Sequence, residues 1–167
     1  MTDAAESPPV GDAPEVDADR GFMRAAIEAA RRALLAGEPP IGACLVRDGQ
    51  IIARAHNSVI GSLDITAHAE IQAIRVACRE ARALDLSASR LFVTVEPCPM
   101  CLAACHYAHI SEVVFGAQIE DLHRATGDEL LVSSSAEAEG QRSAVRVRGG
   151  LLADECRALL ATWASRR

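Results

Sequence analysis

The chain has 167 residues, of which 50% are hydrophobic and 24% charged, as is ordinary for a single globular domain with a sizeable core. All 17 basic residues are Arg, which excludes Schiff-base chemistry on a lysine. The formal net charge is −6, and most of it falls within residues 1–20, so the remainder is near neutral. A near-neutral body lacks the basic patch that a nucleic-acid backbone usually requires, and we expect no nucleic-acid partner on this ground.

Six cysteines could form a disulfide framework in a small secreted chain. Residues 1–20, however, are acidic and rich in proline, without the basic start and apolar core of a cleavable signal. The sequence also shows no apolar run of the length that spans a bilayer. We therefore expect a cytoplasmic protein with reduced cysteines and no membrane contact.

The amino-terminal part predicts a tail followed by one domain. Residues 1–19 contain prolines and acids with almost nothing to bury, so we predict a disordered acidic tail. The folded domain is predicted to span residues 20–167. It opens with a helix over residues 21–36, whose apolar positions keep a helical spacing, and Gly37 ends this helix.

A β-hairpin and a helix are predicted next. Two apolar runs, residues 41–46 and 51–55, flank an Asp-Gly turn signal. After a loop, Thr66 is predicted to cap a helix with apolar residues at helical spacing. His68 and Glu70 then lie in the first turn of that helix.

A buried strand over residues 91–95 is predicted to lead into a second functional helix. Pro97 ends the strand, and Pro99 occupies the first helical position, where its missing N–H costs nothing. Cys98 therefore lies at the start of this helix. Cys101 is three residues further on, so both cysteines face the same side.

The remaining elements are predicted with less regular patterns. They are a strand over residues 113–116, a short helix near 122–131, a strand over 144–148 and a closing helix over 151–163. Strands mixed with helices in this order predict an α/β fold with a three-layer α/β/α sandwich.

His68-x-Glu70, followed by Pro97-Cys98-x-x-Cys101, carries the chemistry of the chain. Imidazole and thiolate are the ligands that zinc prefers, and three protein ligands leave the fourth corner of a tetrahedron for water. That is the pattern of a catalytic zinc site, and His-x-Glu with Pro-Cys-x-x-Cys is a known signature of zinc-dependent base deaminases. We therefore predict Zn²⁺ as the cofactor, bound by His68, Cys98 and Cys101.

Glu70 is predicted to be the catalytic proton carrier. Zinc lowers the pKa of bound water from about 16 to about 7 and so provides hydroxide as the attacking group. Deamination also needs a proton on the ring nitrogen and another on the departing ammonia. One carboxylate that takes the proton of the water and then delivers it can do both.

Other interpretations of the same residues remain open. The two cysteines of the Cys-x-x-Cys motif could be a redox pair. A purely structural zinc would need a fourth ligand, which Cys105 or His106 could offer, although on a helix both turn away from Cys98.

Three further residues are candidates for substrate contact or support. Asn57, the only Asn of the chain, is either a turn residue or an amide that binds the base or ribose. Glu96 is either an anchor behind the metal ligands or part of the pocket wall. His106 lies on the metal-bearing helix and is interpreted as structural or as a substrate contact at the pocket rim.

Residues 67–71 and 94–101 resemble the cytidine deaminase superfamily, and the likeness extends from about residue 22 to residue 115. The chain is most similar to the nucleoside and nucleobase deaminase branch, which includes guanine deaminases, fungal cytosine deaminase and tRNA adenosine deaminases. The resemblance implies a central five-stranded mixed sheet with helices on both faces and a homodimer. It also implies His68, Cys98 and Cys101 as ligands, Glu70 as proton shuttle, and Asn57 and the Ala69 N–H as substrate-binding groups.

The substrate is predicted less directly. The residues after Gly116 depart from the pattern of the tRNA deaminases, and the basic surface expected for tRNA is missing. We therefore expect a small-molecule substrate, namely a free base, nucleoside or related aminated heterocycle of guanine or cytosine type. The alternatives are a tRNA adenosine deaminase and a zinc-bearing scaffold protein without turnover.

Overall fold

The structure is a computed structural model that describes residues 13–132, 134 and 143–166. The strands are β1 (Gly42–Arg47), β2 (Gln50–His56), β3 (Ser89–Val95), β4 (Glu112–Ala117) and β5 (Arg146–Arg148). The helices of the described ranges are α1 (Ala13–Leu35), α2 (Val59–Ser62), α3 (Ala69–Ala81), α4 (Pro99–Tyr107), α5 (Ile119–Thr126) and α6 (Ala153–Ala164). None of these helices has both the length and the apolar character needed to cross a membrane.

The five strands form one mixed sheet in the order β2-β1-β3-β4-β5. β1 pairs antiparallel with β2 and β3, whereas β3, β4 and β5 run parallel. Helices α1 and α6 contact each other on one face, and α3 and α4 contact each other on the opposite face. The predicted three-layer α/β/α sandwich with a five-stranded mixed sheet is therefore confirmed.

Helix α1 approaches the sheet closely at β1. A Cβ atom on Gly42 would collide with the backbone of Ala26 and Ala30, so only glycine fits at this point of contact. One turn earlier on the helix, the rings of Phe22 and Phe92 pack with their centroids 5.3 Å apart. β3 and β4 are covered on both faces and almost fully buried, as is typical of parallel central strands.

The predicted disordered tail is wrong for its last seven residues, because α1 begins at Ala13. Asp19 is 3% exposed, and its carboxylate accepts hydrogen bonds from Arg90 and Arg148. These partners come from β3 and β5, so the acid is a buried ionic anchor rather than a solvated charge. Residues 1–12 lie outside the described residues, and the prediction is untested there.

Two further helix boundaries differ from the predictions. The N-cap of α3 is His68, and the hydroxyl of Thr66 donates to Asp64 at 2.6 Å instead of capping the helix. The helix predicted over residues 122–131 is α5, which starts at Ile119 and ends before Gly127. Gly127 has a φ of 78° and terminates the helix in the left-handed region, a stop signal that the sequence contained.

Candidate active site

The predicted metal ligands meet at the edge of the sheet where β3 ends. His68 is the N-cap of α3 and Cys98 is the N-cap of α4, so both helices begin at the site. Pro99 occupies the first position of α4, as predicted from the sequence. The carboxyl ends of strands are where open α/β sheets bind ligands, and two helix N-termini also favour anionic groups there.

The donor atoms are spaced as a tetrahedral zinc site requires. The Sγ of Cys98 lies 3.6 Å from the Nδ1 of His68, and the Sγ of Cys101 lies 3.5 Å from the same nitrogen. Standard Zn–N and Zn–S bonds at tetrahedral angles place such atoms roughly 3.6 Å apart. The three residues therefore fit Zn²⁺ with one corner open to the cavity, and they form the metal-ligating cluster of the described residues.

The surroundings of the two cysteines favour the thiolate form of Cys98. The hydrogen bond from Cys101, and next the hydrogen bond with His68, lower the pKa of Cys98 to about 4. Donating that bond and being buried raise the pKa of Cys101 above its ordinary value. The hydrogen bond to Cys98 also raises the pKa of His68, which favours a proton on the imidazole beside the thiolate. A bound cation would take the place of that proton.

Glu70 is directed into the same site from the first turn of α3. The residue is 3% exposed, and its Oε2 has no hydrogen-bond partner within the described ranges. Burial, and next the charge of Cys98, raise the pKa of its carboxyl to about 7. A buried carboxylate oxygen without a partner is costly, and here it faces the place where a metal and its water would lie.

A cavity of about 270 Å³ opens beside the ligands. This volume is near the lower end of pockets that hold small ligands, about 300–1,000 Å³. Its lining is mainly apolar with a few converging polar groups. The lining residues are Pro39, Ile41, Asn57, Val59, Ile65, His68, Glu70, Val95, Glu96, Cys98, Ile119, Leu122, Thr126, Asp128 and Glu129.

Asn57 and Glu96 both line the cavity, and both also have structural roles. The Oδ1 of Asn57 accepts the N–H of Val59 at 3.1 Å, which forms the turn that sequence alone allowed. Within the described ranges its amide NH₂ makes no hydrogen bond, so this group can contact a ligand. Glu96 accepts hydrogen bonds from Ile119 and Ser134, so it is a wall residue and an anchor at once. Substrate contact by either residue stays a prediction.

Ala69 and His106 lie outside the cavity lining. Ala69 is fully buried as the first residue of α3, where helix geometry leaves its N–H without an intrahelical acceptor. His106 lies near the end of α4, where its side chain is exposed and its Nδ1 is 3.2 Å from the hydroxyl of Ser143. The structure does not bring His106 to the cavity lining of its own chain.

Sequence reasoning missed the acidic side of the cavity. Asp128 and Glu129 line it directly after the end of α5, in the stretch whose elements were hardest to predict. Recognising Gly127 as the helix stop would have placed both acids in a loop beside the site. Glu38 was also missed; it is buried and accepts the N–H groups of Ile60 and Gly61, which fixes α2 beside the cavity.

Comparison with known proteins gives a match over most of the described fold. Residues 16–117 match the family model for the cytidine and deoxycytidylate deaminase zinc-binding region. The tRNA-specific adenosine deaminase of Bacillus subtilis is 37% identical over 145 residues, covering 87% of this chain and 88% of that protein. The guanine deaminase of Bacillus subtilis is 40% identical over 112 residues, covering 66% and 72%.

The match to the tRNA-specific adenosine deaminase of Aquifex aeolicus has higher identity over a shorter stretch. It is 46% identical over 96 residues, covering 58% of this chain and 64% of that protein. The chain thus spans less than two thirds of this relative, and it spans 12% of the chloroplastic tRNA(adenine(34)) deaminase of Arabidopsis thaliana.

Two solved structures share the fold. A structure from a study of tRNA:A34 deaminases is 36% identical with a TM-score of 0.71, covering 83% of this chain and 98% of that one. The guanine deaminase of Nitrosomonas europaea has a TM-score of 0.79 and covers 98% and 100%. Its identity of 23% makes it a likeness of fold alone.

Proposed function

Because the chain belongs to the cytidine and deoxycytidylate deaminase zinc-binding family, we propose that it is a zinc-dependent hydrolytic deaminase of a purine ring. The reaction replaces the exocyclic amino group of a ring amidine with oxygen, consumes water and releases ammonia. The observation that carries the proposal is the cluster of His68, Cys98 and Cys101 beside the buried Oε2 of Glu70, which has no hydrogen-bond partner among the residues that the structure describes.

The residues of this chain have separate tasks in that reaction. Zinc, when bound, supplies an acidified water as the nucleophile. Glu70 would accept a first proton from the water and pass it to the ring nitrogen as the oxygen bonds to the ring carbon. It would then accept the second proton of that former water and pass it to the amine, which leaves as ammonia while the oxygen stays on the ring. Asn57 presents its amide NH₂ to an acceptor on the substrate, and Ala69 presents its backbone N–H to a ring carbonyl or the oxygen that replaces the amine. The apolar lining excludes bulk water around them.

Adenosine within tRNA is the first substrate candidate. The comparisons support this alternative better than the free base or nucleoside that the sequence alone favoured, since relatives named as tRNA-specific adenosine deaminases include one matched over 88% of its length. A base of a structured RNA can enter a cavity of about 270 Å³ only when it is turned out of its stack.

A free guanine-type base is the second candidate, and one observation favours it. Among the residues that line the cavity, the charged groups beyond the metal centre are the carboxylates of Glu96, Asp128 and Glu129. Carboxylates accept hydrogen bonds from the N–H groups of a guanine ring, whereas they repel the phosphates that flank a nucleotide in RNA. The guanine deaminase relative is consistent with this candidate.

The deciding experiment supplies the zinc-loaded full-length protein with two kinds of substrate. Free purines, pyrimidines and nucleosides are assayed for ammonia, and defined tRNA transcripts are digested and assayed for inosine. Inosine that disappears as salt is raised supports the first candidate. Ammonia from guanine without inosine supports the second. No product in either arm from zinc-bearing protein would refute the deaminase proposal.

Two finer expectations belong to the same proposal, a cytoplasmic location and a homodimer. All six cysteines are free, which supports a reducing compartment. Ile60, Leu63 and Ile65 expose large apolar side chains beside the cavity, which supports a partner subunit there. Light scattering on the purified protein tests the dimer, and a monomeric mass would contradict it.

A further inference from the structure

Glu96 is a buried carboxylate placed between the metal loop and the outer wall of the cavity. It is 4% exposed and follows directly on β3, two residues before Cys98. Its backbone N–H donates to the carbonyl of Ala117 at 2.8 Å, which joins the ends of β3 and β4. Its position in the chain is therefore fixed independently of its side chain.

The side chain of Glu96 uses both oxygens to bind the segment after β4. Oε2 accepts the backbone N–H of Ile119, the first residue of α5, at 3.2 Å. Oε1 accepts the backbone N–H and the hydroxyl of Ser134 at 2.9 and 2.8 Å. One carboxylate thus holds two points that are fifteen residues apart in the chain.

The segment between these two points forms one side of the substrate cavity. It contributes Leu122, Thr126, Asp128 and Glu129 to the lining. The segment exposes Leu130, Leu131 and Val132, so apolar burial alone does not fix its second half. The three hydrogen bonds to a charged acceptor at its two ends are a stronger constraint than ordinary neutral ones.

We propose that Glu96 is a positioning residue that, through its hydrogen bonds to Ile119 and Ser134, clamps residues 119–132 over the site and thereby sets where Asp128 and Glu129 meet the substrate. Glu96 does not act on the reacting atoms in this account, and it does not bind the metal. The readout in turnover rests on the proposed deaminase function, whereas the clamp itself can be measured without any substrate.

Glu96→Gln is the sharpest variant, because it keeps size and shape. A glutamine has one acceptor oxygen, and its NH₂ group must face either the N–H of Ile119 or the donors of Ser134. The amide therefore puts a donor against a donor at one end of the segment. Ser134→Ala is the milder variant, since it removes the hydroxyl bond and leaves the backbone bond intact.

Glu112→Gln is the matched control. Glu112 is likewise a buried glutamate at an end of a central strand, but it begins β4 and accepts hydrogen bonds from Arg90 and Arg148 at the opposite end of the sheet. Its loss weakens the fold without touching the segment of residues 119–134. A general loss of stability is thereby separated from release of the clamp.

The test measures hydrogen–deuterium exchange, zinc content and steady-state kinetics on the zinc-loaded full-length proteins. For Glu96→Gln we expect faster exchange in residues 119–132, unchanged zinc, and a KM raised at least about tenfold with a smaller change in kcat. Ser134→Ala should shift the same quantities less, and Glu112→Gln should leave both KM and the exchange of this segment unchanged.

Unchanged exchange in residues 119–132 together with unchanged KM in Glu96→Gln would overturn the proposal. Loss of zinc or uniformly faster exchange in that variant would overturn it as well, because either result assigns Glu96 to the metal centre or to general stability. If the wild-type protein shows no deamination at all, the exchange data still decide the clamp, so the two proposals fail separately.

Discussion

The two ends of the central parallel strands both bury charged groups, and they treat them in opposite ways. At the amino ends of β3 and β4, Arg90 binds Asp19 through two hydrogen bonds of 2.8 Å and Glu112 through a third of 2.7 Å. At the carboxyl ends, Glu70 leaves one buried oxygen without a partner in the described part of the chain. The contrast indicates that the first end supports the fold, whereas the second is organised around a group that the chain does not supply.

At the carboxyl ends of the strands, loss of a metal ligand should reduce zinc content and turnover far more than loss of another cysteine. Cys101→Ser should lose zinc and reduce turnover by more than about 100-fold, because changes outside the ligand set alone cost 10–100-fold. Metal analysis and ammonia release measure the effect. Cys78 is a half-buried cysteine of α3 outside the metal-ligating cluster, so Cys78→Ser is the control and should keep both its zinc and its turnover. Full zinc content in Cys101→Ser would refute the assigned ligand.

At the amino ends of the strands, loss of the ionic anchor should lower stability without changing turnover. Asp19→Asn should lower the free energy of unfolding by about 2–3 kcal/mol. This is less than for a fully buried pair, since the side chain of Arg148 is nearly half exposed. Urea unfolding measures the loss, and KM and zinc content should stay unchanged. A variant as stable as wild type would mean that the ionic anchor contributes nothing.

The side chain of Asn57 has a structural role in a turn and a predicted role in substrate binding. A substitution by the isosteric Asp separates the two roles. Asn57→Asp keeps an oxygen for the N–H of Val59 but removes the NH₂ that is predicted to reach the substrate. We expect KM to rise by about 3- to 10-fold with little change in melting temperature. Asn57→Ala should show both defects. An unchanged KM in Asn57→Asp would leave Asn57 as a turn residue alone.

The smallest effect concerns the N-terminus of α3. Thr66→Ala should change stability by at most about 0.5 kcal/mol, because His68 and not Thr66 occupies the N-cap. Loss of a true N-cap costs about 1 kcal/mol. Thermal unfolding distinguishes these values. A loss of about 1 kcal/mol or more would contradict this account and support the N-cap role of Thr66 that the sequence predicted.

Local patterns predicted the metal-bearing half of the site, because spacing within a helix turn decides which side chains face together. His68, Glu70, Cys98 and Cys101 lie where the two motifs and Pro99 placed them. The three-layer architecture followed from the mixed order of elements, and the five-stranded mixed sheet with helices on both faces followed from the family resemblance.

Contacts between distant segments were beyond the reach of these patterns. The burial of Asp19 depends on Arg90 and Arg148, which are 71 and 129 residues away in the chain. The double role of Glu96 depends likewise on Ser134, 38 residues further on. A charge that is buried by a distant partner has no local signature, so composition alone classed residues 13–19 as solvated.

The central claim is that Glu70 moves protons beside a metal that other residues hold. The most direct measurement compares the zinc content and turnover of Glu70→Gln with those of wild type and of Glu120→Gln, an exposed glutamate of α5. The account predicts stoichiometric zinc in all three proteins and a turnover reduced by about 10²–10⁴-fold in Glu70→Gln alone. Wild-type turnover in Glu70→Gln, or loss of its zinc, would contradict the account.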